Sequence, residues 1–167
     1  MNIRRFIIDI IILGALLFTF GFLYTSYKEV VYDFFFSESS VGIFIRDIPI
    51  TVAVADSPDE HAKGLSGVAS LGVQEGKLFL FDKEGRYGIW MKDMLIPIDI
   101  IWIDNSGRIV HIEENILPES YPTIYSPPVP ARFVLEVNAF FVDTFNIQIG
   151  DMVTIPSHRL PADLQPY

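Results

Sequence analysis

The residues of this 167-residue chain with chemical potential are three histidines and a few charged side chains set inside apolar runs; cysteine is absent. His61, His111 and His158 stand in segments of different kinds and share no metal-ligand spacing. Without cysteine, thiolate metal sites, Fe–S clusters, disulfides and thiol nucleophiles are excluded. Met91 and Met94 with His111 would offer soft ligands to copper(I), but methionine inside a β core is the commoner use. No GxGxxG, P-loop, GxSxG or HExxH pattern occurs, so no cofactor or metal is expected.

The stretch Arg86–Ile103 (RYGIWMKDMLIPIDIIWI) is more informative. Lys92 and Asp93 interrupt an aromatic and aliphatic run, Pro97 breaks it, and Asp99 falls inside the next strand. Glu136 sits the same way within Phe133–Val137. A charge buried alone costs several kcal/mol, so each such residue needs a partner, water or a ligand. Two readings stay open. Either these side chains face outward or form a structural ion pair such as Lys92–Asp99, or they meet in a polar pocket at a barrel mouth. In the second reading Trp90 and Trp102 wall the pocket, Lys92, Asp93, Asp99 and Glu136 line it, and a small polar ligand enters. The proline-rich loop Tyr125–Arg132 frames such a pocket and offers Ser126 and Arg132 to an anion, or is simply a stiffened connection. Glu113 and Glu114 are an adjacent acid pair of the kind used in general acid–base work; a solvated strand end is the plainer reading.

These residues must be positioned by short strands. Ile50–Ala55, Lys77–Phe81, Tyr87–Met91, Ile98–Ile103, Arg108–Glu113, Arg132–Val137 and Asp151–Ile155 are apolar or alternating runs bounded by turn residues. Asp104-Asn105-Ser106-Gly107 joins two of them as a hairpin turn. Ser57-Pro58-Asp59-Glu60 opens a helix with a capping box and an early proline. Asn138–Phe145 reads as a second short helix with Asn138 at its cap. Without a βαβ rhythm, Rossmann and TIM folds are excluded. The expected fold is mainly β (α+β): a compact, mostly antiparallel β-barrel-like domain with two short helices, preceded by one N-terminal transmembrane helix.

That helix explains a mean hydropathy of +0.36. Phe6–Tyr24 is a 19-residue apolar run with only Asp9 charged, long enough at ~1.5 Å per residue to span a bilayer core. Arg4 and Arg5 precede it, which places the N-terminus in the cytoplasm and the rest outside. Small-x-small appears only at Ser37-Glu38-Ser39, too far downstream for signal cleavage, so an uncleaved anchor is expected. The organisation then reads as residues 1–27 cytoplasmic N-terminus and anchor, 28–40 stalk, 41–155 β domain and 156–167 irregular tail. Of the net charge of −9, the first 27 residues carry +1, and the remainder, with 10 basic and 20 acidic side chains, carries −10. Such an acidic domain is not a nucleic-acid binder, because phosphate recognition needs clustered lysine and arginine.

Gly64-Leu65, Gly76–Phe81, Trp90-Met91-Lys92, Leu95–Ile101, Val110–Asn115, Tyr125-Ser126, Ala131–Ala139 and Gly150-Asp151 together resemble domain-of-unknown-function family 192, over about Ile50 to Ile155. The resemblance implies a small β-rich, barrel-like domain, often exported or membrane-anchored in prokaryotes, and brings no established activity. Three positions depart from the family pattern. Asp93 replaces an asparagine, Gly64-Leu65-Ser66-Gly67-Val68 lacks the arginine of the usual opening, and Phe140 replaces a glycine. The functional expectation is a membrane-anchored, extracytoplasmic, non-catalytic binding module for a small polar ligand or envelope component. The alternatives are an interaction or assembly subunit of a membrane complex, with an envelope protein as partner, or an envelope hydrolase using carboxylates such as Asp99 and Glu136.

Overall fold

A computed structural model of the chain describes residues 14–15, 17–19, 21–22 and 40–157. The chain divides into two units, Met1–Glu38 and Ser39–Tyr167. In the first, the described residues are helical; the rest of the expected anchor, the stalk through Ser39 and the tail from His158 lie outside the described residues. Among the described residues, no helix is long and apolar enough to cross a membrane.

The second unit is mostly β, with two short α-helices and a 3-10 helix at Pro118–Ser120 among its described residues. Its described elements are β1 (Ser40–Ile45), β2 (Ile48–Ala55), α1 (Pro58–Lys63), β3 (Glu75–Gly85), β4 (Ile89–Trp90), β5 (Ile98–Ile103), β6 (Ile109–Ile116), β7 (Ile124–Tyr125), β8 (Ala131–Asn138), α2 (Phe141–Thr144) and β9 (Val153–Thr154). Seven strands form one sheet in the order β6-β5-β8-β3-β2-β1-β9, and β4 pairs with β7 in a separate ribbon. Every pairing is antiparallel except β2 with β3, which run parallel on either side of α1. The ends of the strand order meet: Ile109 N–H donates to Asp151 O (2.9 Å), Gly150 N–H to Ile109 O (2.8 Å) and Val153 N–H to Gly107 O (2.7 Å).

The β5–β6 hairpin forms as expected. Asp104 Oδ1 accepts from the N–H groups of Ser106 and Arg108, closing the turn. Gly107 completes it with φ +82°, and a Cβ there would lie 2.6 Å from Val153 O, so this turn excludes any larger residue. At α1 the capping box is present, with Ser57 accepting from Glu60 N and the Glu60 side chain accepting from Ser57 N. Glu60 is held below the usual carboxylate range by the Ser57 hydroxyl and the backbone N–H groups at this helix start.

One sheet face carries the apolar core, including Ile43, Ile45, Val52, Leu78, Ile101, Phe133, Leu135 and Val137. Residues of the other face, among them Phe79, Ile100, Trp102 and Val134, are buried too. Continuous burial along β5 and β8 means that both faces of these strands are covered. The second cover comes from the segments after α1 and around β4, which contribute buried Leu65, Val68, Met91 and Met94. Backbone bonds tie these segments together: Gly67 N–H donates to Asp93 O (2.9 Å), and Ser66 Oγ donates to Lys92 O (2.8 Å).

Three expectations need correction. The described residues form nine strands rather than seven; β1 and β7 are additional, and β1 begins at Ser40, inside the segment assigned to the stalk. Asn138 does not cap α2: it ends β8, and its side-chain amide donates to Leu71 O (2.6 Å) and Gly72 O (2.9 Å). The cap residue of α2 is Phe140, with φ +67° and no side-chain cap, and the N–H of Val142 is instead satisfied by Asp99 Oδ2 at 2.9 Å. Two of the departures from the family pattern fall at left-handed backbone positions. Phe140 at φ +67° and Asp93 at φ +56° occupy the region that glycine and asparagine adopt most readily.

Candidate functional site

Glu136 lies near the centre of β8, opposite Lys77 of β3 and Ile100 of β5. It is 4% exposed. The main chain places a cover over it. The capping box starts α1, and Gly64 ends it by donating its N–H to Glu60 O (2.9 Å) with φ +50° and ψ −129°. This exit delivers Leu65, whose backbone hydrogen-bonds the Glu136 carboxyl. A Cβ on Gly64 would meet the Phe79 ring at 3.3 Å and Glu136 Oε2 at 3.4 Å, tight contacts added to a left-handed φ of +50°, so this turn favours glycine. Oε2 of Glu136 is buried and has no hydrogen-bond partner.

Burial pushes the Glu136 carboxyl up to about 8, against the opposing pull of the Lys77 charge and the Leu65 backbone. Burial also draws Lys77 below the usual lysine range, a shift that Glu136 and Glu60 oppose and Lys63 reinforces. At neutral pH Glu136 is therefore a carboxylic acid, able to donate a hydrogen bond as well as accept one.

Beside this carboxyl is a small cleft of about 40 Å³ that opens to solvent. Glu136 and Phe79 lie at its base, His61 to Ser66 form one wall, and Gly88 to Trp90 with Met94 form the other. His61 is fixed by its ring: Nε2 faces Ala55 O (3.0 Å) and Leu80 O (3.1 Å), and the ring packs on Phe81 at 4.5 Å. A nitrogen facing two carbonyl oxygens carries the proton. Trp90 stands at the mouth, 45% exposed, edge-on to Tyr121 at 6.2 Å.

Of the eight residues that the sequence nominates, the structure brings Trp90 and Glu136 into this cleft. Asp99 is fully buried but belongs to the opposite sheet face, because it pairs with Val137 while Glu136 pairs with Ile100. Both of its oxygens are used, Oδ1 by Asn115 N–H (2.8 Å) and Oδ2 by Val142 N–H. Trp102 is fully buried and donates to Tyr87 O at 2.9 Å. Arg132 is buried against Phe81 O and Asn105 Oδ1. Lys92 and Asp93 are exposed; the Lys92 carbonyl accepts from Ser66 of the cleft wall and the Asp93 carbonyl from Gly67. Ser126 is exposed behind Gly88, its Oγ 3.0 Å from the position a Cβ there would take. Lys92, Asp99 and Glu136 are thus not brought together, and the cleft lies on the flank of β3 and β8 rather than at a barrel mouth. The sequence reading missed Gly64, His61, Lys63 and Lys77. Lys77 carried the signal already used for Asp99, a charge inside an apolar strand. Gly64 carried another, a glycine just past a helix end.

Comparison with known proteins agrees with this architecture. The model of the DUF192 family (Uncharacterized ACR) matches residues 43–155. A UPF0127 protein of Thermococcus gammatolerans is 30% identical over 105 residues, which cover 62% of this chain and 65% of the relative. This chain therefore spans just under two thirds of that relative's length. Among solved structures, a Sinorhizobium meliloti protein provisionally described as a transcription regulator is 27% identical, with a TM-score of 0.65 over 70% of this chain and 95% of the other. A protein of unknown function from Novosphingobium aromaticivorans is 29% identical, with a TM-score of 0.64 over 68% of this chain and 84% of the other. With most of its β unit inside the matched span, the chain belongs to the DUF192 family.

Proposed function

We propose that this chain is a non-catalytic binding module that receives a small polar ligand in the cleft over Glu136. We further propose that its N-terminal apolar run holds it in the cell membrane with the β unit outside. The observation that carries the binding reading is the buried Oε2 of Glu136, which has no hydrogen-bond partner at the base of an open cleft. A buried polar atom left unsatisfied costs about 1–3 kcal/mol, and a ligand that hydrogen-bonds it recovers that cost. Glu136 is the sole carboxylate among the described lining residues, so the hydrolase reading lacks the second acid that glycoside hydrolysis uses. The regulator description belongs to the Sinorhizobium relative; a net charge of −9 gives this chain little electrostatic attraction for DNA.

Ligand screening by thermal shift on the purified chain tests the site, repeated with Glu136→Leu and Trp90→Ala. Hits that stabilise the native chain and weaken in both variants support it; hits indifferent to both sink it. Protease digestion of intact spheroplasts tests the tether, which requires the β unit to be cut from outside while the membrane stays sealed. A second reading, an assembly surface, is favoured by Trp90, Tyr121 and Ile124, which are all exposed and adjoin across the β4–β7 ribbon. A cross-linked partner lost on Ile124→Asp, with cleft ligands unaffected, would favour it.

A further inference from the structure

The charges around Glu136 narrow what the cleft can hold. Lys77 stands across from it on β3, and Lys63 and His61 on α1 line the wall. Of the two acids on α1, Asp59 is exposed and Glu60 is hydrogen-bonded to its own helix start through Ser57 and the Asp56 N–H. On β5 the facing residue is Ile100, which carries no charge. Among the residues lining the cleft, Lys63 brings a positive charge and Glu136 is the sole carboxylate, while Phe79, Ile89 and Trp90 give the cleft an apolar side.

We propose that the cleft takes a small carboxylate-bearing molecule, which accepts a hydrogen bond from the Glu136 carboxyl at Oε2. Lys63 lies beside the anion, and the ligand's carbon skeleton lies against Trp90 and Phe79. This inference rests on the binding reading above and names its ligand class. A carboxylic acid and a carboxylate share one proton in a strong charge-assisted bond, whereas two ionised carboxylates repel. Binding thus needs Glu136 protonated, and the burial that lifts its pKa to about 8 keeps the proton there at neutral pH. An alkylammonium ligand needs the ionised acid and would face Lys63 and Lys77, so it has the opposite pH dependence.

The test is calorimetric titration of the full chain with butyrate and benzoate, against butylammonium and butyramide, with tryptophan fluorescence reporting the half-exposed Trp90. The carboxylates are expected to bind, and their affinity to fall roughly tenfold for each pH unit above about 8. Glu136→Gln keeps an N–H donor, so it should keep carboxylate binding but lose this pH dependence; Glu136→Leu should lose binding while its circular dichroism shows a folded chain. Carboxylate affinity that rises with pH, or carboxylate binding that survives in Glu136→Leu, overturns the proposal. If butylammonium or butyramide binds in place of the carboxylates and Glu136→Leu abolishes it, the ligand class falls and the binding reading stands. If no probe of any class binds, both fall.

Discussion

Glu136→Gln should change how the stability of the protein depends on pH. The folded carboxyl ionises at about 8, against a reference value of 4.5. Between those values the folded state holds a proton that the unfolded state has released, so stability falls as pH rises through this window and levels off above it. At about 1.4 kcal/mol per pKa unit, the part of this loss that falls between about pH 6 and pH 9 is about 3 kcal/mol. Glutamine does not titrate, so the variant lacks this loss. Lys77 works the other way: its lowered pKa adds stability as pH rises toward the ordinary lysine value. Taking the difference between wild type and Glu136→Gln removes most of that contribution. Urea unfolding at several pH values should therefore show the variant gaining about 3 kcal/mol on the wild type from about pH 6 to pH 9, or roughly 10 °C in Tm for a unit of this size. Parallel curves for the two proteins would refute the reasoning, because they would mean that Glu136 keeps access to water or stays ionised throughout.

Other substitutions test the surrounding architecture. Phe140→Gly should stabilise the fold by about 1 kcal/mol, since Phe140 is exposed and held at φ +67°; chemical denaturation reads this directly. Asp99→Ala should cost about 3–5 kcal/mol by leaving the N–H groups of Asn115 and Val142 without their charged acceptor, with amide exchange around α2 rising first. Gly64→Ala combines a strained backbone with pressure on Phe79 and Glu136 and should cost about 1–3 kcal/mol. A loss below a few tenths of a kcal/mol in equilibrium unfolding would show that the exit of α1 is not fixed as described.

The parts of the fold that were legible are those decided locally. The Asp104–Gly107 turn and the Ser57–Glu60 capping box are each completed by residues within a few positions of one another, so sequence alone carried them. Parts decided by remote partners were not. Asn138 has the residue type of a helix cap, yet Leu71 and Gly72 use its amide, while Asp99 from β5 takes over at α2. Asp99 and Glu136 gave the same signal, a charge in an apolar strand. Which sheet face each occupies depends on the β5–β8 register, which no local pattern contains. β4 and β7 are two residues each, too short for alternation to mark.

The meeting of the sheet's two ends near Gly107 and Val153 has a further consequence. The short segment from Gly150 to Thr154 serves both sides: it pairs with β1 through Phe44 and Ile45 and bonds to Gly107 and Ile109 on the other side. An open sheet offers two unpaired edges on which other chains can add strands. Here one segment near the end of the β unit caps both. A chain truncated before Gly150 would uncover the two edges together, and its failure would take the form of edge-to-edge self-association rather than simple unfolding.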